Sequence, residues 1–276
     1  MSTRSLEIKT SAGLTLSAKL DRPDGEVLAT ALFAHCFTCG KDILAASRIS
    51  KRLVSQGIAV LRFDFTGLGA SSGEFADTNF SSNIADLVDA AEWLRINYKT
   101  PSLIIGHSLG GTAILAAADR LPYAKAFVTI GSPSDPRHIL NLIGAQSLEE
   151  IAEAGSAVVT LEGRPFRIKK QFVEDASEQR VLNQVRTLKR PLLIMHSPID
   201  RTVDIEHATA LFHAAAHPKS FMSLGDADHL ISKREDADFI ADVIASWSAR
   251  YTRNDETNSQ ETLMNSSLPL PGKQAL

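Results

Sequence analysis

The chain has 276 residues, 44% of them hydrophobic, enough for one large α/β core without a second domain of equal size. A formal net charge of -3 and a pI near 6.2 leave no basic surface that suggests nucleic acid, and no polybasic run adjoins an apolar anchor. The opening residues MSTRSLEIKTSAG lack the apolar stretch of a secretory signal, and no later segment approaches the roughly 20 apolar residues that span a bilayer. The expectation is a cytoplasmic chain that acts on a small molecule, with neither nucleic acid nor membrane as partner.

In chain order, LEIKT and LTLSAKL, joined by Ser11-Ala12-Gly13, read as an antiparallel hairpin. TALFAH, IAVLRFDF, SLIIGHS, AFVTIGS, PLLIMHS and KSFMSLGD follow, apolar on both faces as strands covered on each side must be. Amphipathic stretches at 42–56, 80–97, 109–121, 205–216 and 234–250 predict helices between them, the first ended by Gly57. This alternation predicts an α/β fold with a mostly parallel twisted sheet and helices on both faces. One insertion, between the strand ending near Gly131 and the strand starting near Leu192, predicts a small cap over about 135–188. Within it RHILNLIGAQSLEEIAEAG has helical spacing, and SAVVTLEGRPFRIKKQFVEDA reads as two strands turning at Glu162-Gly163. Residues 1–251 read as the domain, and the polar stretch 252–276 as a disordered tail or a truncated linker.

Chemistry enters at Gly106-His107-Ser108-Leu109-Gly110, where a buried strand runs straight into a helix and matches the G-x-S-x-G nucleophile elbow. So sharp a turn strains the middle residue and requires small residues two positions to either side. It also exposes the Ser108 hydroxyl at a helix N-terminus, where developing negative charge is favoured. The plainer alternative is a serine N-cap with packing glycines. A serine needs a base, and His229 in LGDADHL occupies the loop between the last strand and the last helix. The third member must be a carboxylate between the two in sequence, just past a strand end. Asp200 in PLLIMHSPIDRTVD fits, with Asp135 as runner-up. Asp204 reads as a helix cap, Asp64 as a brace for its own loop, His107 as packing beneath the elbow, His138 as part of the cap, and His196, His207, His213 and His217 as structural.

Acyl transfer also needs donors where the carbonyl oxygen becomes charged. The N–H of Leu109 is the first candidate and the N–H of Phe37, in the loop after TALFAH, the second, with Cys36 as an alternative. That loop holds the only two cysteines, Cys36 and Cys39, spaced C-x-x-C. They are a candidate redox pair, since oxidation would tighten the loop that offers an oxyanion donor. Two buried reduced thiols are the favoured reading, and zinc is disfavoured because a structural site takes four ligands. The glycines of RFDFTGLGASSGEF lack dinucleotide-binding spacing, so this stretch reads as a structural turn bordering the pocket. No cofactor and no metal are expected.

Together GHSLG, SPIDRTV, GDADH and AHCFTCGKD resemble the α/β-hydrolase superfamily over about residues 5 to 250. They are similar to a narrower group in which a hydrolase domain with an HCFTC-type loop and a short cap is often fused ahead of an OsmC-type peroxide-reductase domain. The resemblance implies a serine hydrolase, with a functional link to such a reductase. On that comparison the chain ends too early for the second domain, so a standalone relative and a chain stopping at the linker both fit. The function expected is cleavage of carboxylic esters or related acyl compounds through an acyl-enzyme. The alternatives are an acyltransferase or thioesterase on the same triad, and a regulatory module with a relict triad.

Overall fold

The computed structural model describes residues 1–36, 38–161 and 163–252. The first two runs form β1 (Ser2–Lys9) and β2 (Thr15–Arg22), antiparallel with Ser2 opposite Arg22 and Lys9 opposite Thr15. Next come β3 (Ala29–Ala34), α1 (Leu44–Ser55), β4 (Ile58–Phe63), α2 (Phe80–Asn97), β5 (Leu103–His107), α3 (Leu109–Ala116) and β6 (Ala126–Ile130). The insertion supplies α4 (His138–Ile143), α5 (Ala145–Ala154), β7 (Ser156–Leu161), β8 (Arg164–Lys169), α6 (Lys170–Glu178) and α7 (Val181–Thr187). Then follow β9 (Leu192–His196), α8 (Ile205–Ala214), β10 (Lys219–Ser223) and α9 (Arg234–Thr252).

Eight strands join in the order β1-β2-β4-β3-β5-β6-β9-β10. Only the pairings made by β2 are antiparallel. Every residue of β3, β4, β5, β6 and β9 is buried, which explains why these runs are apolar without alternation. The two faces still separate by the strand period. Leu32 and Ala34 of β3 join a core with α2, α3 and the cap, while Ala31 and Phe33 join one with α1 and α9. Asn79 starts α2 with a reciprocal capping box to Ser82.

Several elements differ from the sequence expectation. β10 lies at the sheet edge with Phe221 44% exposed, so KSFMS is only half covered rather than buried on both faces. Helix α3 stops at Ala116 and a single 3-10 turn, Ala118–Arg120, follows. The expected cap helix is two, broken where Gly144 takes a φ of 82°. The expected cap hairpin forms as β7 and β8, with Leu161 opposite Arg164. Helices α6 and α7, not anticipated, close the cap by burying Phe172, Ala176, Val181 and Val185. Residues 253–276, where most of the tail was expected, lie outside the described residues, and Thr252 still belongs to α9. Among the described residues no helix is long and apolar enough to cross a membrane.

Candidate active site

Strand β5 passes into α3 through Ser108, whose backbone sits at φ 53°, ψ -129°, a region that residues with side chains rarely occupy. Its N–H donates to Ile130 O of β6 at 2.9 Å, fixing the turn to the neighbouring strand. Both flanking glycines are needed for space. A Cβ on Gly106 would lie 2.5 Å from Gly110 O, and one on Gly110 would lie 2.5 Å from Ala34 O. The small residues read as an elbow requirement therefore meet backbone, not pliable side chains. Leu109 opens α3, so its N–H has no partner within the helix.

Three loops at the same sheet edge converge here. His229 Nε2 lies 3.0 Å from Ser108 Oγ, and His229 Nδ1 lies 2.7 Å from Asp200 Oδ2. The other oxygen of Asp200 accepts from the N–H groups of Thr202 and Val203 at 2.9 and 3.0 Å. Burial alone would raise the Asp200 pKa, but the hydrogen bond and charge of His229 and these two backbone donors outweigh it, and the carboxyl is held below its ordinary range. Ser197 Oγ donates to Gly225 O, tying the Asp200 loop to the His229 loop.

His107 does more than pack beneath the elbow. Its Nε2 lies 2.8 Å from His229 O, and because a carbonyl can only accept, that nitrogen carries the proton. Burial, then the nearby His229, push its pKa down to about 3, so it stays a neutral donor beneath the His229 loop. Gly131 was not singled out from sequence. At φ 54° a Cβ there would sit 3.4 Å from Asp200 Oδ2 and 3.5 Å from His229 Nδ1, so the acid–base pair packs directly over it. A glycine closing a buried strand beside the elbow is the signal that could have found it.

Asp135 is taken up by Arg137 in an ion pair and does not reach His229. Asp204 caps α8. Asp64 braces its loop, accepting from Lys41 N–H and Ala70 N–H and pairing with Lys41 Nζ at 2.6 Å. His196 is buried with Nε2 on Val203 O at 2.8 Å, while His213 and His217 are exposed.

Phe37, the expected second oxyanion donor, lies outside the described residues. Its neighbours correct another expectation, since Cys36 and Cys39 are joined in a disulfide rather than reduced. The loop turns tightly enough for Cys39 N–H to reach Cys36 O at 3.2 Å, which brings the Cα atoms to 5.3 Å, within bridging range.

A cavity of about 160 Å³ opens over Ser108 and His229. Cys36 and Thr38 of the disulfide loop form one wall, and Leu142, Thr160 and Leu161 of the cap another. None of the described residues lining it is Asp, Glu, Lys or Arg. Beside the cavity the cap is tied to the sheet-edge loops by Arg164, which donates to Thr38 O, and by His138, whose Nε2 lies 2.7 Å from Thr202 O; away from it Ser81 donates to Asp175 and Lys169 pairs with Asp77.

A strained serine at a strand–helix turn, on a mostly parallel sheet with His and Asp on the succeeding loops, defines the class. The chain belongs to the alpha/beta hydrolase family, which matches residues 31–256. Among solved structures it is similar to the esterase domain of a Rhodothermus marinus protein, 49% identical with a TM-score of 0.76, covering 91% of this chain and 99% of that one. The Butyrivibrio proteoclasticus protein Est1E with bound ferulic acid shares the fold at 21% identity and a TM-score of 0.78, covering 89% of this chain and 98% of that one. Among curated proteins it is similar to the mitochondrial palmitoyl-protein thioesterase ABHD10 of Mus musculus, 25% identical over 189 residues, 66% of this chain and 60% of the relative. The chain spans less than two thirds of the length of the curated relatives it matches.

Proposed function

We propose that this protein is a serine hydrolase that cleaves uncharged carboxylic esters or related acyl compounds through an acyl-enzyme. The hydrogen-bonded run Ser108–His229–Asp200 at a strained elbow carries this reading. His229 Nδ1 donates to the Asp200 carboxylate, which leaves Nε2 free to accept the Ser108 proton. Ser108 Oγ attacks the acyl carbon, and its proton passes to Nε2. The carbonyl oxygen becomes an oxyanion beside Leu109 N–H, with Phe37 N–H assigned as second donor on the sequence pattern. The imidazolium then gives its proton to the leaving group as the bond to the acyl carbon breaks. Water, deprotonated by the same nitrogen, releases the acid and restores Ser108. The lack of charged side chains among the described lining residues supports an uncharged substrate, because a carboxylate or ammonium group would lose its hydration there without a partner.

Similarity to a palmitoyl-protein thioesterase favours one second reading, thioester cleavage on the same residues. The steps are unchanged except that the leaving group protonated by His229 departs as a thiol in place of an alcohol. Both readings predict that Ser108→Ala loses turnover by roughly 10⁶-fold. Hydrolysis of p-nitrophenyl esters and acyl thioesters of graded chain length, with fluorophosphonate labelling, checks this. Parent-level rates in the variant, or failure of the parent to label at Ser108, overturn the catalytic reading in favour of a module with a relict triad. The ratio of ester to thioester kcat/KM separates the two chemistries.

A further inference from the structure

Four groups run in line from the strand β6 edge to the loop that holds Asp200. Ser134 brings its N–H to His207 Nδ1 at 3.2 Å and its hydroxyl to the same nitrogen at 3.0 Å. His207 Nε2 lies 3.2 Å from His138 Nδ1, the two rings meeting edge to face. His138 Nε2 lies 2.7 Å from Thr202 O. The direction of this chain is forced at both ends. A backbone N–H can only donate, so His207 Nδ1 is the acceptor and Nε2 carries the proton. A carbonyl can only accept, so His138 Nε2 carries the proton and Nδ1 accepts from His207. Each ring therefore holds one proton, and the relay closes only when both are neutral. Burial and then the neighbouring His138 hold His207 below the ordinary histidine range, which suits that requirement.

Thr202, at the end of this relay, is also the residue whose N–H bonds Asp200 Oδ1, together with the N–H of Val203. Its peptide groups are thus held on both sides, by the carboxylate and by His138. Resting on the triad reading above, we propose that His138 and His207 are positioning residues that set the turn at Thr202 and thereby aim Asp200 at His229. His138 opens α4 and lines the cavity, so the same contact joins the cap to the acid loop. His207 belongs to α8 and does not line the cavity, which separates positioning from substrate contact.

The test compares His207→Leu, His207→Gln, His138→Leu and the double leucine variant on p-nitrophenyl esters. Gln can accept from Ser134 through its oxygen and donate to His138 through its amide nitrogen, whereas Leu can do neither. His207→Leu is expected to lower kcat by roughly 10- to 100-fold with little change in KM, the size of effect that a small misplacement produces. His207→Gln restores most of that loss, and the double variant is no worse than the worse single, because both act through one contact. Parent-like kcat in His207→Leu, equal losses in the Leu and Gln variants, or losses that multiply in the double variant overturn the relay. Should His207→Leu not fold, His138→Leu against His138→Gln gives the same comparison from the cap side. Fluorophosphonate labelling separates the two readings: a parent unlabelled at Ser108 removes the triad, whereas a labelled parent with a His207→Leu that labels equally fast removes only the relay.

Discussion

The arrangement turns on how closely backbone is allowed to approach side chain at a few points. Gly131 is the clearest test, because its φ of 54° strains any side chain, and a methyl group there would touch Asp200 Oδ2 and His229 Nδ1 at ordinary contact distance. Gly131→Ala is expected to slow fluorophosphonate labelling of Ser108 by roughly 10-fold or more while the protein stays folded, since relief of the strained φ would move the backbone on which Asp200 and His229 pack. A labelling rate equal to the parent's would show that the pair has slack. Ser108, Asp200 and His229 were legible in the sequence because each sits in a short local pattern and their order along the chain is restricted. Gly131 and the His138–His207 pair were not, because what they do depends on contacts between loops. His138 and His207 are 69 residues apart, and nothing near either marks the other.

Elements were legible where hydrophobic period and burial agree. The central strands announce themselves because both faces are covered, and β10 misleads because a short apolar run reads alike at the centre and at the edge. Helices α6 and α7 escaped because each is under three turns and buries only two residues, so neither shows a full helical stripe. The loop from Cys36 to Asp42 shows what the elements do for the site. It is held by the Cys36–Cys39 disulfide at one end and by the buried Lys41–Asp64 and Arg62–Asp21 pairs at the other, with Arg62 also donating to Lys41 O. A disulfide closing so short a loop contributes at most about 2 kcal/mol to stability. Its larger effect is expected on geometry: reduction with dithiothreitol should lower ester kcat by up to about 10-fold, less than losing an oxyanion donor outright. Rates and unfolding midpoints measured before and after reduction check this. Unchanged kcat would assign the loop's shape to the buried ion pairs alone and remove the redox pair as a control point.

For the molecule as a whole, two buried carboxylates pull the pH dependence of stability in opposite directions. Asp86 of α2 accepts from the N–H and hydroxyl of Thr66 at 2.8 and 3.0 Å, but burial outweighs those bonds and pushes its pKa from 3.8 up to about 6. The fold therefore binds this proton more tightly than the unfolded chain does. The resulting stability is fully present below the unfolded value and is lost as pH rises through about 6, a change of about 3 kcal/mol. Asp200 has the opposite sign. Its folded pKa is depressed, so its contribution is present above the unfolded carboxylate range and lost as pH falls through the folded value. Asp86→Asn separates the two, because Asn cannot ionise yet can still accept from Thr66 N–H and donate to the Thr66 hydroxyl oxygen. Urea unfolding of parent and variant from about pH 4 to 8 should show the variant gaining on the parent by up to about 3 kcal/mol as pH rises to about 6, with a constant difference beyond. A difference that stays flat across the whole range would mean that Asp86 ionises in the fold as it does in water. The Asp64–Thr66 turn would then rest on an ordinary charged carboxylate, and the acid limb of stability would belong to groups such as Asp200.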